Sequence, residues 1–202
     1  MSLWKGDSPL ILASGSVIRR ALAESAGLPV EVIPAAIDER RLEAGLAGAE
    51  ARTVAETLAR AKADAVSRDH PGRYVLGADQ TLSVGGRMLH KPLSRQQAAD
   101  QLGLLAGRSH HLHSALALSL NGRSLWAQVE TATLTARPFA GAFIHAYLDA
   151  AGDGVLTSVG AYQIEGLGMH LFEKIEGDHT IIMGLPLLPL LRQLRNLDLL
   201  HD

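Results

Sequence analysis

The sequence contains no cysteine, which excludes disulfide bridges and thiolate zinc centres and makes a reducing compartment its natural setting. Neither charge is in excess: 19 Lys and Arg against 21 Asp and Glu give a formal net charge of -2. The broad basic face that duplex binding requires is therefore missing. No apolar run is long enough to span a membrane, and the short run ahead of Ser14 is too brief for a signal peptide. Internal repeats and low-complexity linkers are lacking too. We therefore expect a cytoplasmic protein with neither a nucleic-acid partner nor a membrane. What is present is a chain of 202 residues, 47% hydrophobic, enough to bury a sizeable core. We expect one domain over residues 1–202, with residues 196–202 as a C-terminal tail.

The most informative stretch is Leu10-Ile11-Leu12-Ala13-Ser14-Gly15-Ser16-Val17-Ile18-Arg19-Arg20. It reads as a buried strand, a hydroxyl-rich turn and a helix with Ser16 as N-cap. Two arginines in a first helical turn oppose the partial positive charge of the helix N-terminus unless an anion shares the site. Free backbone N–H groups, two hydroxyls and two guanidiniums suit a phosphate. From this segment alone, an ordinary capped helix with its arginines in water is the alternative.

Further along, Gly27 and Pro29 end that helix, and Val30 to Ile33 reads as a strand. Pro34 to Gly48 lacks apolar periodicity and reads as a loop, followed by an Ala-rich helix from about Glu50 to Ser67. Tyr74 to Ala78 is a short apolar strand from whose end Asp79-Gln80-Thr81 emerges. Leu82–Val84 and Arg87–Leu89 form a hairpin over Gly85-Gly86, with Lys91-Pro92 next. Ser94 and Gln97 have capping-box spacing, so a helix runs from Arg95 to Leu105. Asn121-Gly122 joins two long strands, Ser109 to Leu120 and Ser124 to Thr135. A helix spans Ala140 to Ala151, a strand covers Met169 to Phe172, and a last helix begins near Pro186, where Pro189 belongs to its first turn or bends it. Alternating helices and strands with a central hairpin give a mixed α/β fold on one curved sheet.

Taken together, Ser14-Gly15-Ser16 with Arg19-Arg20, Ile37-Asp38-Glu39, Gly77-Ala78-Asp79-Gln80, His90-Lys91-Pro92, Gly107-Arg108-Ser109-His110, the run from Gly160 to Gly168 and Gly184-Leu185-Pro186-Leu187 resemble the Maf family, in order and over nearly the whole chain. The resemblance implies the α/β fold shared by Maf and inosine-triphosphate pyrophosphatase-like proteins, with a curved mixed sheet and two lobes flanking a nucleotide cleft. It further implies hydrolysis of a nucleoside triphosphate to the monophosphate and pyrophosphate, a divalent metal cofactor (Mg2+ or Mn2+), and a homodimer. A nucleotide-sensing protein linked to cell division and septum formation, with little turnover, is the alternative.

By the same resemblance, Asp79 is the proton acceptor, Glu39 with Asp79 holds the metal, and Asp38 is a weaker neighbour of Glu39. Ser14, Ser16, Arg19, Arg20 and Lys91 bind phosphate. Attack on an α-phosphorus needs these types of group: a base, cations for the phosphate oxygens and a hard ion on carboxylates. Ile18, Gln80 and Glu165 stand at positions that separate subgroups. An ionised Glu165 is acceptor-only and suits the adjacent N1–H and N2–H₂ donors of guanine. Gln80 and Glu165 resemble the subgroup acting on 7-methyl-GTP, as does Lys91-Pro92-Leu93. Val17-Ile18 depart from it, standing where that subgroup has Pro-Trp, so Ile18 gives a methylated purine no aromatic face. Tyr162 is either a replacement for that face or a core residue.

His110, His111 and His113 invite a metal reading, but two imidazoles on one strand face fall short of a zinc site. A strand start with partly exposed histidines is the simpler account. Gly166-Leu167-Gly168 lacks the third glycine and following helix of a dinucleotide fingerprint.

Overall fold

The computed structural model describes residues 3–201. Seven strands form a mixed sheet: β1 (Leu10–Leu12), β2 (Val30–Val32), β3 (Val75–Val84), β4 (Arg87–Leu89), β5 (Ser109–Leu120), β6 (Arg123–Ala136) and β7 (Phe172–Glu176). Their order is β2-β1-β3-β5-β6-β7, with β4 also pairing with β3. β1 runs parallel to both β2 and β3, whereas β4 is antiparallel to β3 and β7 to β6. The helices are α1 (Val17–Ser25), α2 (Glu39–Ala44), α3 (Ala51–Asp69), α4 (Arg95–Leu105), α5 (Gly141–Ala151), α6 (His179–Ile182) and α7 (Leu187–Asn196). The chain divides into two compact units that interleave in sequence. The first comprises residues up to Gln80, Ser114–Glu130 and the chain from Asp178 onward; the second comprises Thr81–His113 and Thr131–Gly177.

In the first unit, β1 is covered on both faces, which is why it reads as an unbroken apolar run. Leu10 and Leu12 join a core with Leu76, Ala78, Leu116, Leu118, Leu185, Leu190 and Leu194. Ile11 and Ala13 face the other way with Val66 and Val75. Helix α3 meets the sheet through small side chains, Ala55, Ala59 and Ala63 against Ala115, Ala117 and Val129. Gly77 makes this contact closer still: a Cβ there would lie 2.1 Å from the Ala59 carbonyl oxygen and 2.8 Å from the Ala63 nitrogen. Helix and strand backbones thus touch at the position two residues before Asp79. After α7, Leu199 and Leu200 pack into the core, and Leu200 bridges to Trp4.

In the second unit, α4 and α5 pack on each other, with 3-10 turns at Gly152–Thr157, Val159–Ala161 and Leu167–Leu171. Ser94 caps α4 by accepting from Gln97 N, while Gln97 Oε1 reaches back to Leu93 N. The two-residue turn between β5 and β6 has positive φ at both Asn121 (52°) and Gly122 (73°), the conformation that Asn-Gly favours.

Three expected elements differ, and one left open is settled. Asp79-Gln80-Thr81 do not lie at a strand end but in the middle of β3, which continues to Val84 because β4 extends the pairing on that side. The expected loop over Pro34 to Gly48 contains α2, whose N-cap Asp38 accepts from Arg41 N. That helix buries no residue, so it leaves no apolar period to detect. The expected strand at Met169 to Phe172 is a 3-10 turn up to Leu171, and β7 begins at Phe172. Pro189 occupies the first turn of α7, where a missing N–H removes no helical hydrogen bond.

Candidate active site

The charged centre of the first unit is built from β3 outward. Asp79, 7% exposed, lies on the face of β3 that meets α3. There Lys62, 8% exposed, extends from the buried side of the helix and places Nζ 2.7 Å from Asp79 Oδ1. The same ammonium lies 3.0 Å from Glu39 Oε1 at the start of α2. Glu39 is half exposed and Asp79 almost enclosed, so the lysine links an inner carboxylate to an outer one.

Arg19 closes the group from α1. Its Nη1 donates to the Ala78 carbonyl at 2.8 Å and to Ser14 Oγ at 3.2 Å, and its Nε donates to the Gly184 carbonyl at 2.9 Å. All three acceptors are neutral; the countercharges are Asp79 and Glu39. Burial weakens the guanidinium's hold on its proton and those two carboxylates strengthen it, and a group so basic stays charged. Burial also raises the Asp79 carboxyl above the usual carboxylate range; Lys62 and Arg19 pull it back, and Glu39 pushes the same way as burial. Two cations and two carboxylates make the cluster formally neutral.

The residues singled out from sequence are therefore only partly gathered. Ser14 is buried, accepting from Ser16 N at 3.4 Å as well as from Arg19. Ser16 is the N-cap of α1, accepting from Arg19 N at 3.3 Å. Arg19 turns inward to Asp79 and Glu39, so the anions that answer its charge in this structure are side chains of the protein. Arg20 turns away and pairs with Glu24 Oε1 at 2.7 Å on the exposed side of α1. Ile18 is half buried beside exposed Val17. Gln80, next to Asp79, binds the end of α6: Nε2 lies 2.8 Å from Ser114 Oγ, 3.0 Å from the Ile181 carbonyl and 2.9 Å from the Ile182 carbonyl.

Lys91 and Glu165 belong to the second unit, and both are exposed. The turn bearing Lys91 is fixed by Gln101 Nε2 donating to the His90 carbonyl at 2.8 Å and by buried Pro92. Tyr162, left open between a stacking face and the core, is core: it is 5% exposed, its hydroxyl lies 2.7 Å from His110 Nε2, and its ring meets Phe172 edge-on. His111 Nδ1 and His113 Nδ1 bond to Thr133 and Thr131 across the strands, and among the described residues no three His, Cys, Asp or Glu side chains gather as a metal site.

Lys62 is the member of this charged cluster that sequence reading missed. In an Ala-rich helix a lysine passes for a solvated surface residue. Its signal was positional, because it falls in the row Ala55, Leu58, Ala59, Lys62, Ala63, Val66 that the helical period assigns to the buried face. A lysine inside an apolar stripe needs a carboxylate waiting opposite.

Comparison with known proteins places the chain. A family model described as "Maf-like protein" matches residues 9–197. The chain is 54% identical over 196 residues to a protein of Bradyrhizobium diazoefficiens named "Nucleoside triphosphate pyrophosphatase", covering 97% of each. Over 200 residues it is 54% identical to a protein of the same name from Rhodopseudomonas palustris, covering 99% of each. It is 53% identical over 190 residues to the "7-methyl-GTP pyrophosphatase" of Rhizobium etli, covering 93% of this chain and 96% of that one. With the model matching nearly the full length and these relatives covered almost end to end, the chain belongs to the Maf family.

Proposed function

We propose that the protein is a nucleoside triphosphate pyrophosphatase, cleaving the bond between the α- and β-phosphates to release a nucleoside monophosphate and pyrophosphate. The observation that carries this reading is the enclosed Asp79, braced by Lys62 at 2.7 Å and faced by Arg19. A carboxylate whose proton affinity is raised by burial, with adjacent cations to stabilise its charged form, is suited to take a proton from water. Water oxygen attacks the α-phosphorus, its proton passes to Asp79, and the α–β bridging bond breaks to free pyrophosphate. Arg19 offers its guanidinium to the charge that develops on the phosphate oxygens.

The neutrality of the cluster bears on the metal. Four charges that already cancel leave no surplus positive charge for a strongly anionic triphosphate. Glu39 and Asp79 fit a hard Mg2+ or Mn2+ ion, which commonly takes one or two carboxylates and completes its shell with phosphate oxygens and water. Such an ion, when bound, would neutralise phosphate charge and polarise the phosphorus. From the second unit we propose Lys91 as a further phosphate contact and Glu165 as the base reader. Their support is the sequence motif, together with the exposure of both side chains. Ser14, Ser16 and Arg20 complete the proposed phosphate set, Arg20 by exchanging Glu24 for substrate.

The finer reading is a guanine-type substrate such as 7-methyl-GTP, the named substrate of the Rhizobium etli relative. Homodimer formation and residence in the cytoplasm are part of the same proposal, supported by the family resemblance and by the lack of cysteine; no helix among the described residues is long and apolar enough to cross a membrane. A sensor with little turnover is not favoured, because a sensor has no need to keep Asp79 enclosed and braced.

The test is to incubate purified protein and Mg2+ or Mn2+ with canonical and methylated triphosphates, measuring pyrophosphate separately from phosphate. Pyrophosphate with monophosphate is expected, fastest for a guanine base. Phosphate release alone would exclude attack at the α-phosphorus, and no release from any substrate would return the sensor reading.

A further inference from the structure

Among the described residues the carboxylate of Glu165 makes no hydrogen bond or ion pair. Where it stands is therefore set by the backbone that carries it. Gly166 N donates to the Gln163 carbonyl at 3.3 Å, closing a turn with Ile164 and Glu165 at its two central positions. Ile164 is 4% exposed, whereas Glu165 lies on the surface. Gly168 backs onto the same carbonyl, and a Cβ there would lie 2.3 Å from its oxygen. The turn is tight, and its direction depends on how the chain enters and leaves it.

The loop bearing this turn begins at Tyr162 and ends at Phe172, and its two ends are clasped. The rings of Tyr162 and Phe172 meet edge-on with centroids 4.9 Å apart, and His110, at the start of β5, lies 5.6 Å from the first and 5.7 Å from the second. One contact in the clasp is directional, the Tyr162 hydroxyl on His110 Nε2 at 2.7 Å. His110 is fully buried, and its Nδ1 has no partner among the described residues. An imidazole fills apolar space poorly when one of its nitrogens goes unpaired; a leucine would fill it without that loss. What the histidine adds is the bond to Tyr162.

We propose that His110 and Tyr162 are positioning residues for base selection: the bond between them fixes the entry of the loop and so holds the Glu165 carboxylate where it meets the base edge. Both are buried and act without touching the nucleotide. The proposal rests on Glu165 as base reader, given above, and adds the pair that makes that reading exact in space. A carboxylate displaced by about an ångström loses its paired contact with two adjacent donors, while contacts to the phosphate chain are unaffected.

The test is a double-mutant cycle read as the ratio of kcat/KM for GTP over UTP with Mg2+. Tyr162→Phe keeps the ring and removes the hydroxyl, and should lower the ratio about three- to fivefold with turnover of UTP unchanged. In a Glu165→Gln background the same substitution should change the ratio no further, because no carboxylate is left to place. A merely structural role would lower both nucleotides alike in both backgrounds. His110→Leu should match Tyr162→Phe, and His110→Gln, whose amide can reach the place of Nε2, should recover most of the ratio. Should His110→Leu fail to fold, Tyr162→Phe and His110→Gln still decide. An unchanged ratio in Tyr162→Phe, or an equal drop in the Glu165→Gln background, would overturn the proposal and leave Glu165 as reader. An unchanged ratio in Glu165→Gln itself would overturn the base reading and this proposal with it. If the wild type hydrolyses neither nucleotide, the pyrophosphatase reading fails, and the same cycle is read from the dissociation constants of GTP and UTP.

Discussion

Each of the two units buries polar groups at its centre, and they do so by opposite means. The first unit encloses full charges: Lys62 between Asp79 and Glu39, with Arg19 facing them. The second encloses neutral rings: His110, fully buried, shares a hydrogen bond with Tyr162, and Phe172 packs against both. Tyr147 adds a hydroxyl that donates to the Ala161 carbonyl at 3.3 Å. Burial pushes the Tyr147 phenol up to about 12 and the His110 imidazole down to about 4, so both are neutral at ordinary pH. Enclosing charge is costly where enclosing neutral groups is cheap. A fold that keeps the costly arrangement in one unit while building the cheap one in the other has a use for the charges, and the use proposed above is chemistry. The neutral cluster serves shape: it anchors a backbone in which Gly160 (φ 78°) and Ala161 (φ 58°) are both left-handed, with Ala161 four residues before Glu165.

The sharpest way to break this contrast is to neutralise the charged centre. Asp79→Asn is nearly isosteric and removes the proposed base, so kcat should fall about a thousandfold while nucleotide binding stays measurable. Lys62→Met should lower activity to a comparable level for a different reason, since it leaves Asp79 buried without its partner and raises its pKa further. The two variants separate in stability. Lys62→Met strands a carboxylate and should be destabilised by several kcal/mol, about 3 on typical figures for broken buried pairs. In Asp79→Asn, Lys62 retains Glu39, so the loss should be smaller. Activity assays with denaturant unfolding of both variants check the pair, and retained turnover in Asp79→Asn would remove that residue from its role.

The neutral centre predicts an effect of acid on stability. In the unfolded chain His110 titrates at its ordinary 6.5, and in the folded chain burial, with a smaller push from His111, lowers it to about 4. A folded pKa below the unfolded one means that the unfolded chain takes up the proton first. Stability from this residue is therefore complete above about pH 6.5, falls as the pH drops, and is lost by about pH 4. The whole contribution is about 3 kcal/mol, because a tenfold difference in proton affinity between the folded and unfolded chains is worth about 1.4 kcal/mol. The His110 imidazole should show no titration by NMR down to about pH 5. A midpoint near 6.5 would show that the ring is not enclosed and would erase the contrast between the units.

How far the sequence disclosed all this follows from the range of the interactions. The α4 boundaries were legible because Ser94 and Gln97 sit three residues apart and cap locally. The β5–β6 hairpin was legible because Asn121-Gly122 suits its turn without outside help. Asp79, Glu39 and Arg19 were named as site residues, yet nothing local reveals that Asp79 is mid-strand, because that depends on pairing with β4 and β5. Lys62 was missed because its meaning lies in Gly77 and the alanines that let α3 approach the sheet. Gln80 was named for its place beside Asp79, but its bonds to the Ile181 and Ile182 carbonyls could not be read locally, since α6 lies a hundred residues later in the chain.

The smallest effect belongs to the contribution to recognition proposed for the second unit. Glu165 is exposed and follows the stretch that Tyr162 anchors, so its carboxylate is free to meet a base. Guanine presents N1–H and N2–H₂ side by side, two donors for two carboxylate oxygens. Methylation at N7 puts positive charge on the ring and makes those donors more acidic, which strengthens a charge-assisted bond. Glu165→Gln keeps the shape and replaces one acceptor by a donor, which must face an N–H. The ratio of kcat/KM for guanine over uracil triphosphates should drop about tenfold, worth about 1.4 kcal/mol, with a larger drop for 7-methyl-GTP than for GTP. The phosphate chemistry of the first unit should be untouched, so turnover of UTP is expected to hold or rise. If all nucleotides lose rate equally, Glu165 acts on the phosphates and the division between a charged unit for chemistry and a neutral unit for shape must be redrawn.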